Sequence, residues 1–232
     1  MSEKTVNKKG KKKHRINLFS RFVAFLARPL LWLVYPTKIL GKERFPGGGG
    51  LCVCNHFTPM DANPILCRLI KKNRHVMIKG EMFKNRLVGD FLRAMGGIPV
   101  RRGEADLAAV KEVMSALRKG EKVVVFPEGT RNTSGVDLLP LKNGVALMAL
   151  KTRSQVIPFM YYDKSGFFKK NYLLVGHPFT FDEYYDMPSH EIEDRVTALM
   201  REKMLETKRE LIDIVENYKG SYKKYLAAKE GK

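Results

Sequence analysis

The sequence is poor in cysteine and in acidic residues. Its 232 residues include 3 cysteines, and 24 acidic residues stand against 43 lysines and arginines. An odd number of cysteines argues against a disulfide framework, and no second cysteine cluster indicates a zinc site. We therefore expect Cys52, Cys54 and Cys67 to be reduced core thiols of a protein that faces the cytoplasm.

Several common catalytic and ligand-binding motifs are also missing. The sequence has no serine in a Gly-x-Ser-x-Gly frame, no glycine-rich phosphate loop that ends in Lys-Ser or Lys-Thr, and no metal-ligand spacing. The glycines at 47–50 indicate a flexible turn, and His14, His75, His177 and His190 follow no pattern. We expect no metal and no other cofactor.

The N-terminal region lacks an uninterrupted apolar run. Residues 1–15 form a polar, basic tail, which we expect to be disordered. Residues 16–36 are apolar and aromatic, but the longest uncharged run there, 29–37, is far below the ~20 residues that span a bilayer. Arg21 and Arg28 share one helical face, which favours an amphipathic helix in the membrane interface. The alternative is a helix packed on the protein's own core.

The net charge of +19 favours a partner that carries negative charge. Nucleic acid, an anionic membrane surface and an acidic protein all qualify. The sequence has no aromatic RNA-binding signature, and its lysines concentrate outside the motif-bearing middle, so we expect a membrane surface and no nucleic acid. A basic membrane-binding module without catalysis is the alternative from another functional class.

Strands alternate with helices through the middle of the chain, which predicts an α/β fold. We expect a mixed, largely parallel central sheet flanked by helices and preceded by an N-terminal amphipathic membrane-associating helix or helix pair. This domain would cover residues 37–218, and residues 219–232 would be a frayed basic tail. The predicted strands are 37–40, 51–54, 75–78, 98–100, 122–126, 156–161 and 172–175, and the predicted helices are 62–71, 87–95, 104–119, 141–151 and 190–218.

Three predicted strands end in polar residues. The strand at 51–54 leads into Asn55-His56, the strand at 98–100 into Arg101-Arg102, and the strand at 122–126 into 127–131, Pro-Glu-Gly-Thr-Arg. Chemistry in such sheets lies at the carboxyl ends of the strands. If the three strands are neighbours, a base, a carboxylate and several cations meet there.

His56 and Asp61 are the candidate general base and its partner. A carboxylate on one imidazole nitrogen fixes the tautomer, so that the other nitrogen can take a proton from an alcohol. No serine lies nearby, so the nucleophile would be a hydroxyl of the substrate, without a covalent enzyme intermediate. Asp61 is also predicted to cap the helix at 62–71. The competing interpretation gives Asp61 the cap alone and leaves His56 as a loop residue.

Four cations are candidates for a phosphate clamp, because lysine and arginine bind phosphate oxygens. The alternative is surface charge on a protein that is basic throughout. Glu128 follows a buried strand, and Gly129 allows close approach of a ligand to the backbone. The alternative there is a tight turn held by a Glu128–Arg131 ion pair. The four cations are Lys79, Arg101, Arg102 and Arg131.

Four ordered segments resemble the motifs of glycerolipid acyltransferases, most closely the 1-acylglycerol-3-phosphate acyltransferases. The resemblance covers roughly residues 38–180. Arg101 is a departure, because the family often has an acidic residue there. The four segments are Asn55-His56-x4-Asp61, Gly97-Ile98-Pro99-Val100-Arg101-Arg102, Phe126-Pro127-Glu128-Gly129-Thr130-Arg131 and Val156-Ile157-Pro158.

The resemblance implies transfer of an acyl group from a thioester of acyl carrier protein or coenzyme A to the free hydroxyl of lysophosphatidic acid. The product would be phosphatidic acid, made for phospholipid biosynthesis by a peripheral or monotopic enzyme on the cytoplasmic face of the cell membrane. Another acceptor, glycerol-3-phosphate or a different lyso-lipid, is the alternative.

The resemblance also implies roles for individual residues. His56 would be the base and Asp61 its partner, and the strand at 156–158 would line the acyl channel. The acceptor would be bound by Lys79, Arg101, Arg102, Glu128, Gly129, Thr130 and Arg131, while Asn55, Pro127 and Pro158 would support the motifs.

Overall fold

The computed structural model of the protein describes residues 32–70, 72–101, 106–187 and 189–231. The predicted basic tail, most of the predicted N-terminal helix and the candidate ligand Arg102 lie outside these ranges. Within them, no helix combines the length and the hydrophobicity that a membrane span requires.

The described residues form a mixed seven-stranded sheet with the strand order β1-β7-β6-β2-β5-β3-β4. Strands β2 to β6 run parallel, while β1 and β7 run in the opposite direction. This confirms the predicted fold class. The strands are β1 (Thr37–Leu40), β2 (Gly50–Cys54), β3 (Arg74–Lys79), β4 (Gly97–Val100), β5 (Lys122–Val125), β6 (Val156–Tyr161) and β7 (Asn171–Val175).

The central strands are buried because helices and loops cover both faces of the sheet. Every residue of β2, β5 and β6 is buried, as expected for parallel strands that read as continuous apolar runs. Successive side chains of β2 alternate between two cores, Leu51 and Val53 in one and Cys52 and Cys54 in the other. Burial raises the pKa of the Cys52 thiol to about 12, which keeps it protonated.

Among the described residues, five helices of nine residues or more connect or follow the strands. Asn85 and Asp106 begin two of them, because their side chains accept hydrogen bonds from backbone N–H groups of the first turn. The helices are α1 (Arg86–Ala94), α2 (Leu107–Arg118), α3 (Asn143–Thr152), α4 (Ser189–Glu216) and α5 (Tyr222–Glu230).

The predicted helix at 62–71 is wrong in form. Only Ala62–Pro64 is α-helical, and Ile65–Leu69 is a π-helical turn. The predicted cap is also wrong, since the Asp61 side chain makes no capping hydrogen bond to this helix.

The C-terminal residues are ordered rather than frayed. Helix α5 packs through Tyr225, which is 8% exposed and contacts Tyr218 edge to face at 5.5 Å. Arg44 lies over the Tyr222 ring and forms a bidentate ion pair with Glu210 of α4. The aromatic packing of α5 therefore keeps this segment folded, although its many lysines predicted a solvated tail.

The sheet topology decides which loops can form a site. The carboxyl ends of β2 to β6 lie at one edge of the sheet, which we call the carboxyl edge. Because β1 and β7 run in the opposite direction, residues 32–36 enter β1 at this edge, and the β6–β7 loop (162–170) also lies there.

Candidate active site

His56 and Asp61 meet in the loop that follows β2. The His56 Nδ1 atom lies 3.0 Å from Oδ2 of Asp61. Asp61 is fully buried, and the His56 side chain is 13% exposed. A tight turn closes between them, with the Asp61 N–H donating to the Thr58 carbonyl at 3.2 Å. The structure therefore brings together the pair that the sequence singled out.

Asp61 accepts an unusually dense set of hydrogen bonds. Besides His56, its Oδ2 atom accepts from the backbone N–H groups of Phe57 at 2.6 Å and Thr58 at 2.7 Å. Its Oδ1 atom accepts from three hydroxyls, those of Ser165 at 2.6 Å, Thr58 at 2.7 Å and Tyr35 at 3.1 Å.

These donors set the charge of Asp61. Burial raises its pKa, but the hydrogen bonds from His56, Ser165 and Thr58 outweigh burial, and the pKa is lowered from its ordinary value. The carboxylate is therefore ionised at neutral pH. It fixes the neutral imidazole as the Nδ1–H tautomer, which leaves the lone pair of Nε2 as the proton acceptor.

The imidazole ring is held by packing as well. Phe126, the residue after β5, stacks on His56 with ring centroids 4.0 Å apart and planes 19° apart. The Asn132 N–H donates to the His56 carbonyl at 2.6 Å. Asn55 is buried, and its side-chain oxygen accepts from the Tyr161 N–H at 2.8 Å, which ties the start of the loop to β6.

Glu128 contacts the backbone of His56 and is only 2% exposed. Its two carboxylate oxygens accept from the backbone N–H groups of His56 at 2.7 Å and Leu139 at 2.9 Å. Burial raises its pKa, and these two bonds only partly offset that effect. The Glu128–Arg131 ion pair considered from the sequence does not occur among the described salt bridges, because backbone groups hold Glu128 instead.

The residues after Glu128 face solvent at the carboxyl edge. Gly129, Thr130 and Arg131 are all exposed. Gly129 has φ +68°, and a Cβ atom there would lie 3.2 Å from the Lys142 side chain. Pro127 is buried, and its carbonyl accepts from the Lys142 N–H at 2.8 Å. Glu128 and Asn132, on either side of these three residues, both contact the His56 backbone, so the turn starts and ends next to His56 and exposes one hydroxyl and one cation.

Two other predicted ligands, Lys79 and Arg101, lie at the ends of strands at the same edge. Lys79 ends β3 and is paired with Glu81 at 2.7 Å. Arg101 follows β4 and is exposed. Arg102 lies outside the described residues. Pro158 is buried in β6 beside Val53 of β2. The acceptor-binding roles of these residues stay predictions.

Three residues of the site carried no recognisable sequence signal. Tyr35 and Ser165 are separated from Asp61 by 26 and 104 residues. Asn132 is buried and holds its own loop through a 2.7 Å bond to the Val136 carbonyl. Among the described residues, no group of three His, Cys, Asp or Glu side chains is placed to hold a metal ion.

A family model and several known proteins are similar to this chain. A family model described as Acyltransferase matches residues 37–162, which include all four motif segments. A 1-acyl-sn-glycerol-3-phosphate acyltransferase of Bacillus subtilis (strain 168) is 28% identical over 197 residues, covering 82% of this chain and 98% of that protein. The protein of the same name from Borreliella burgdorferi is 32% identical over 151 residues, covering 61% of this chain and 57% of that protein.

The fold is also found in a solved structure. The crystal structure of the 1-acyl-sn-glycerophosphate (LPA) acyltransferase PlsC from Thermotoga maritima matches with a TM-score of 0.61 at 23% sequence identity. The match covers 85% of this chain and 79% of that one. With the family model spanning more than half of the sequence and the histidine–carboxylate pair in place, the chain belongs to the acyltransferase family.

Proposed function

We propose that the protein transfers an acyl group from a thioester to the free hydroxyl of lysophosphatidic acid and so forms phosphatidic acid. The observation that carries this proposal is the His56–Asp61 pair, in which Asp61 contacts Nδ1 and leaves Nε2 as the proton acceptor. Exposed Thr130 and Arg131 lie in the turn that follows Glu128 at the same edge of the sheet. The relatives of Bacillus subtilis and Borreliella burgdorferi, both named for this reaction, support the choice of acceptor.

The chemistry needs no nucleophile from the protein. Nε2 of His56 takes the proton of the acceptor hydroxyl as its oxygen attacks the thioester carbonyl carbon. The tetrahedral intermediate then expels the thiolate, which takes the proton back from Nε2 and leaves as the free thiol. The ionised Asp61 stabilises the imidazolium in between.

The cations along the carboxyl edge would bind the phosphate of the acceptor. We assign this contact to Arg131, Lys79, Arg101 and Arg102, with Thr130 and the backbone at Gly129 alongside. Glu128 has both oxygens occupied by backbone N–H donors, so it would affect the acceptor indirectly, through the positions of His56 and Leu139.

The donor is the thioester of acyl carrier protein or of coenzyme A. An acidic carrier protein would be attracted by the net charge of +19, and the phosphates of coenzyme A fit the same charge. We place the enzyme at the cytoplasmic face of the cell membrane, with no role for nucleic acid. The part of residues 16–36 that precedes Tyr35 would be the interfacial anchor, because Tyr35 itself is buried and donates to Asp61.

A matrix of acceptors and donors tests the proposal. The purified full chain is assayed with lysophosphatidic acid, glycerol-3-phosphate and a zwitterionic lyso-lipid, each with acyl carrier protein and coenzyme A thioesters. Preference for lysophosphatidic acid supports the proposal. Preference for another acceptor contradicts lysophosphatidic acid as the substrate. The absence of transfer to any acceptor favours a membrane-binding module without catalysis.

Deletion of residues 1–31 tests the anchor. The deletion must end before Trp32, because Tyr35 holds Asp61. Weaker flotation with anionic vesicles is expected, and unchanged flotation would contradict the anchor.

A further inference from the structure

The exposed apolar side chains of the described residues are unevenly distributed. Nine large apolar side chains are exposed there. Two lie just before β1, three follow β3, one begins α2 after β4, one follows β5 and two lie between β6 and β7. All of these segments meet the carboxyl edge. The connections at the opposite edge, as far as they are described, contain none of the nine.

Two of these segments flank the catalytic pair and are basic. The β6–β7 loop, 162–170, has three lysines and one aspartate, a net charge of +2, and contains exposed Phe167 and Phe168. Residues 79–88 have two lysines, one arginine and one glutamate, again +2, and contain exposed Met82, Leu87 and Val88. Apolar side chains among excess cations are typical of surfaces that bind anionic bilayers.

Phe168 is held outward at a conformational cost. It is 81% exposed, and its φ of 54° lies in the left-handed region, which bulky residues rarely adopt. Its backbone N–H donates to the Val34 carbonyl at 2.8 Å, so the loop is fixed to the segment that precedes β1. Backbone strain of this kind concentrates at functional sites.

The surface around Phe168 and the segment before β1 also contains the single tryptophan of the chain. Trp32 is 58% exposed. A cleft of about 340 Å³ opens between Trp32, Leu33 and Lys170, with Lys38 and Arg68 also in its lining. Apolar surface and cations therefore occur together here, and in the sequence the basic segment 1–31 directly precedes Trp32.

We propose that the carboxyl edge is a docking surface for an anionic lipid bilayer. The folded domain alone forms this surface, which would act together with the separate anchor proposed in residues 1–31. Trp32 and Phe168 would enter the interface on one side of the catalytic pair, and Leu87 on the other. The inference deepens the proposed function, because a lipid acceptor would then reach His56 from the membrane that the edge contacts.

Trp32 provides a probe within the surface itself. Its fluorescence is recorded for the full chain with vesicles of phosphatidylcholine alone and of phosphatidylcholine with phosphatidylglycerol, without acceptor or donor. We expect a blue shift with the anionic vesicles, quenching by brominated lipid, and weaker binding at high salt. Because the assay contains no substrate, failure of the proposed reaction would leave this result unaffected.

Phe168→Asn separates docking from folding. Asparagine tolerates a left-handed φ, so we expect unchanged or higher thermal stability together with about tenfold weaker vesicle binding. Phe168→Leu, which keeps an apolar side chain at the same φ, is the matched control and should bind nearly as wild type. Leu87→Gln should weaken binding from the other flank.

Three results would overturn the proposal. Phe168→Asn could bind as tightly as the wild type. Vesicles could sediment the protein without any change in Trp32 emission, which would assign binding to residues 1–31 alone. Trp32 could also be blue-shifted and protected from acrylamide before vesicles are added, which would mean that residues 1–31 cover the surface.

Discussion

Asp61 and Glu128 are two buried carboxylates on either side of His56, and their environments are opposite. Asp61 follows β2 and accepts six hydrogen bonds, which lower its pKa despite complete burial. Glu128 follows β5 and accepts two, from backbone N–H groups, and its pKa is raised by burial. Burial alone thus does not decide the direction in which the pKa of a carboxylate moves, because hydrogen-bond donors act against it.

The difference assigns separate tasks to the two residues. Asp61 keeps a fixed negative charge against the imidazole, which a general base requires when it becomes an imidazolium. Glu128 connects the backbone of His56 to the backbone of Leu139 and therefore positions the histidine. The comparison predicts that substitutions at the two sites differ in how they divide their effects between rate and stability.

Asp61→Asn should produce the largest effect. The amide keeps the volume but loses the charge and no longer fixes the Nδ1–H tautomer, so kcat should fall on the order of 10³-fold. Acyl transfer by the purified variant measures this loss, and circular dichroism confirms that it is folded. Retention of more than about a tenth of the rate would remove the distinction between the two carboxylates.

Glu128→Gln should act mainly on stability. Only one side-chain oxygen remains to accept, so one amide NH₂ group faces a backbone N–H of His56 or Leu139, at a cost of about 1–3 kcal/mol in the free energy of unfolding. We expect a smaller loss of kcat, about tenfold to 100-fold, from displacement of His56. Urea unfolding and acyl-transfer assays separate the two effects. A loss confined to KM for the acceptor would instead support direct acceptor binding by Glu128.

The sequence predicted the strands better than the site. Each end of each predicted strand lies within one residue of the observed end. Buried parallel strands such as Val123-Val124-Val125 are recognisable because they are uninterrupted apolar runs. His56 and Asp61 were predictable because they are five residues apart. Ser165 was not, since only the pairing of β6 with β2 brings its loop to Asp61. The π-helical turn at Ile65–Leu69 was also missed, because helix propensity does not separate it from an α-helix.

Ser165→Ala should have a moderate effect on Asp61. Loss of the hydroxyl that donates to Asp61 at 2.6 Å destabilises the ionised form of Asp61 and raises the pKa of that carboxyl group. The acidic limb of the kcat/KM profile should therefore move to higher pH, and the rate should fall about threefold to tenfold. Ser154→Ala is the matched control, because Ser154 pairs with Thr152 at the opposite edge of the sheet. A rate loss without any movement of the pH profile would contradict the assigned role.

The pH dependence of stability should show the smallest effect and has opposite signs for the two carboxylates. Asp61 contributes stability that is present above its ordinary pKa of 3.8 and is lost as pH falls through its lowered folded-state value. Glu128 favours the protonated folded state, so its contribution falls as pH rises from 4.5 through its raised value. We therefore compare the unfolding free energy of the wild type with that of Asp61→Asn and with that of Glu128→Gln over a range of pH. As pH rises, the two differences should change in opposite directions. Equal signs would show that the two environments do not differ.

The chain contains its own control for the catalytic pair. His75 lies 2.8 Å from Glu121 at the opposite edge of the sheet, so it is a second histidine–carboxylate pair away from the proposed site. The most direct measurement is the rate of acyl transfer to lysophosphatidic acid by His56→Ala and His75→Ala, both checked for folding. We predict a loss on the order of 10³-fold for His56→Ala and a rate near that of the wild type for His75→Ala. A folded His56→Ala variant that transfers acyl groups at the wild-type rate would contradict His56 as the general base.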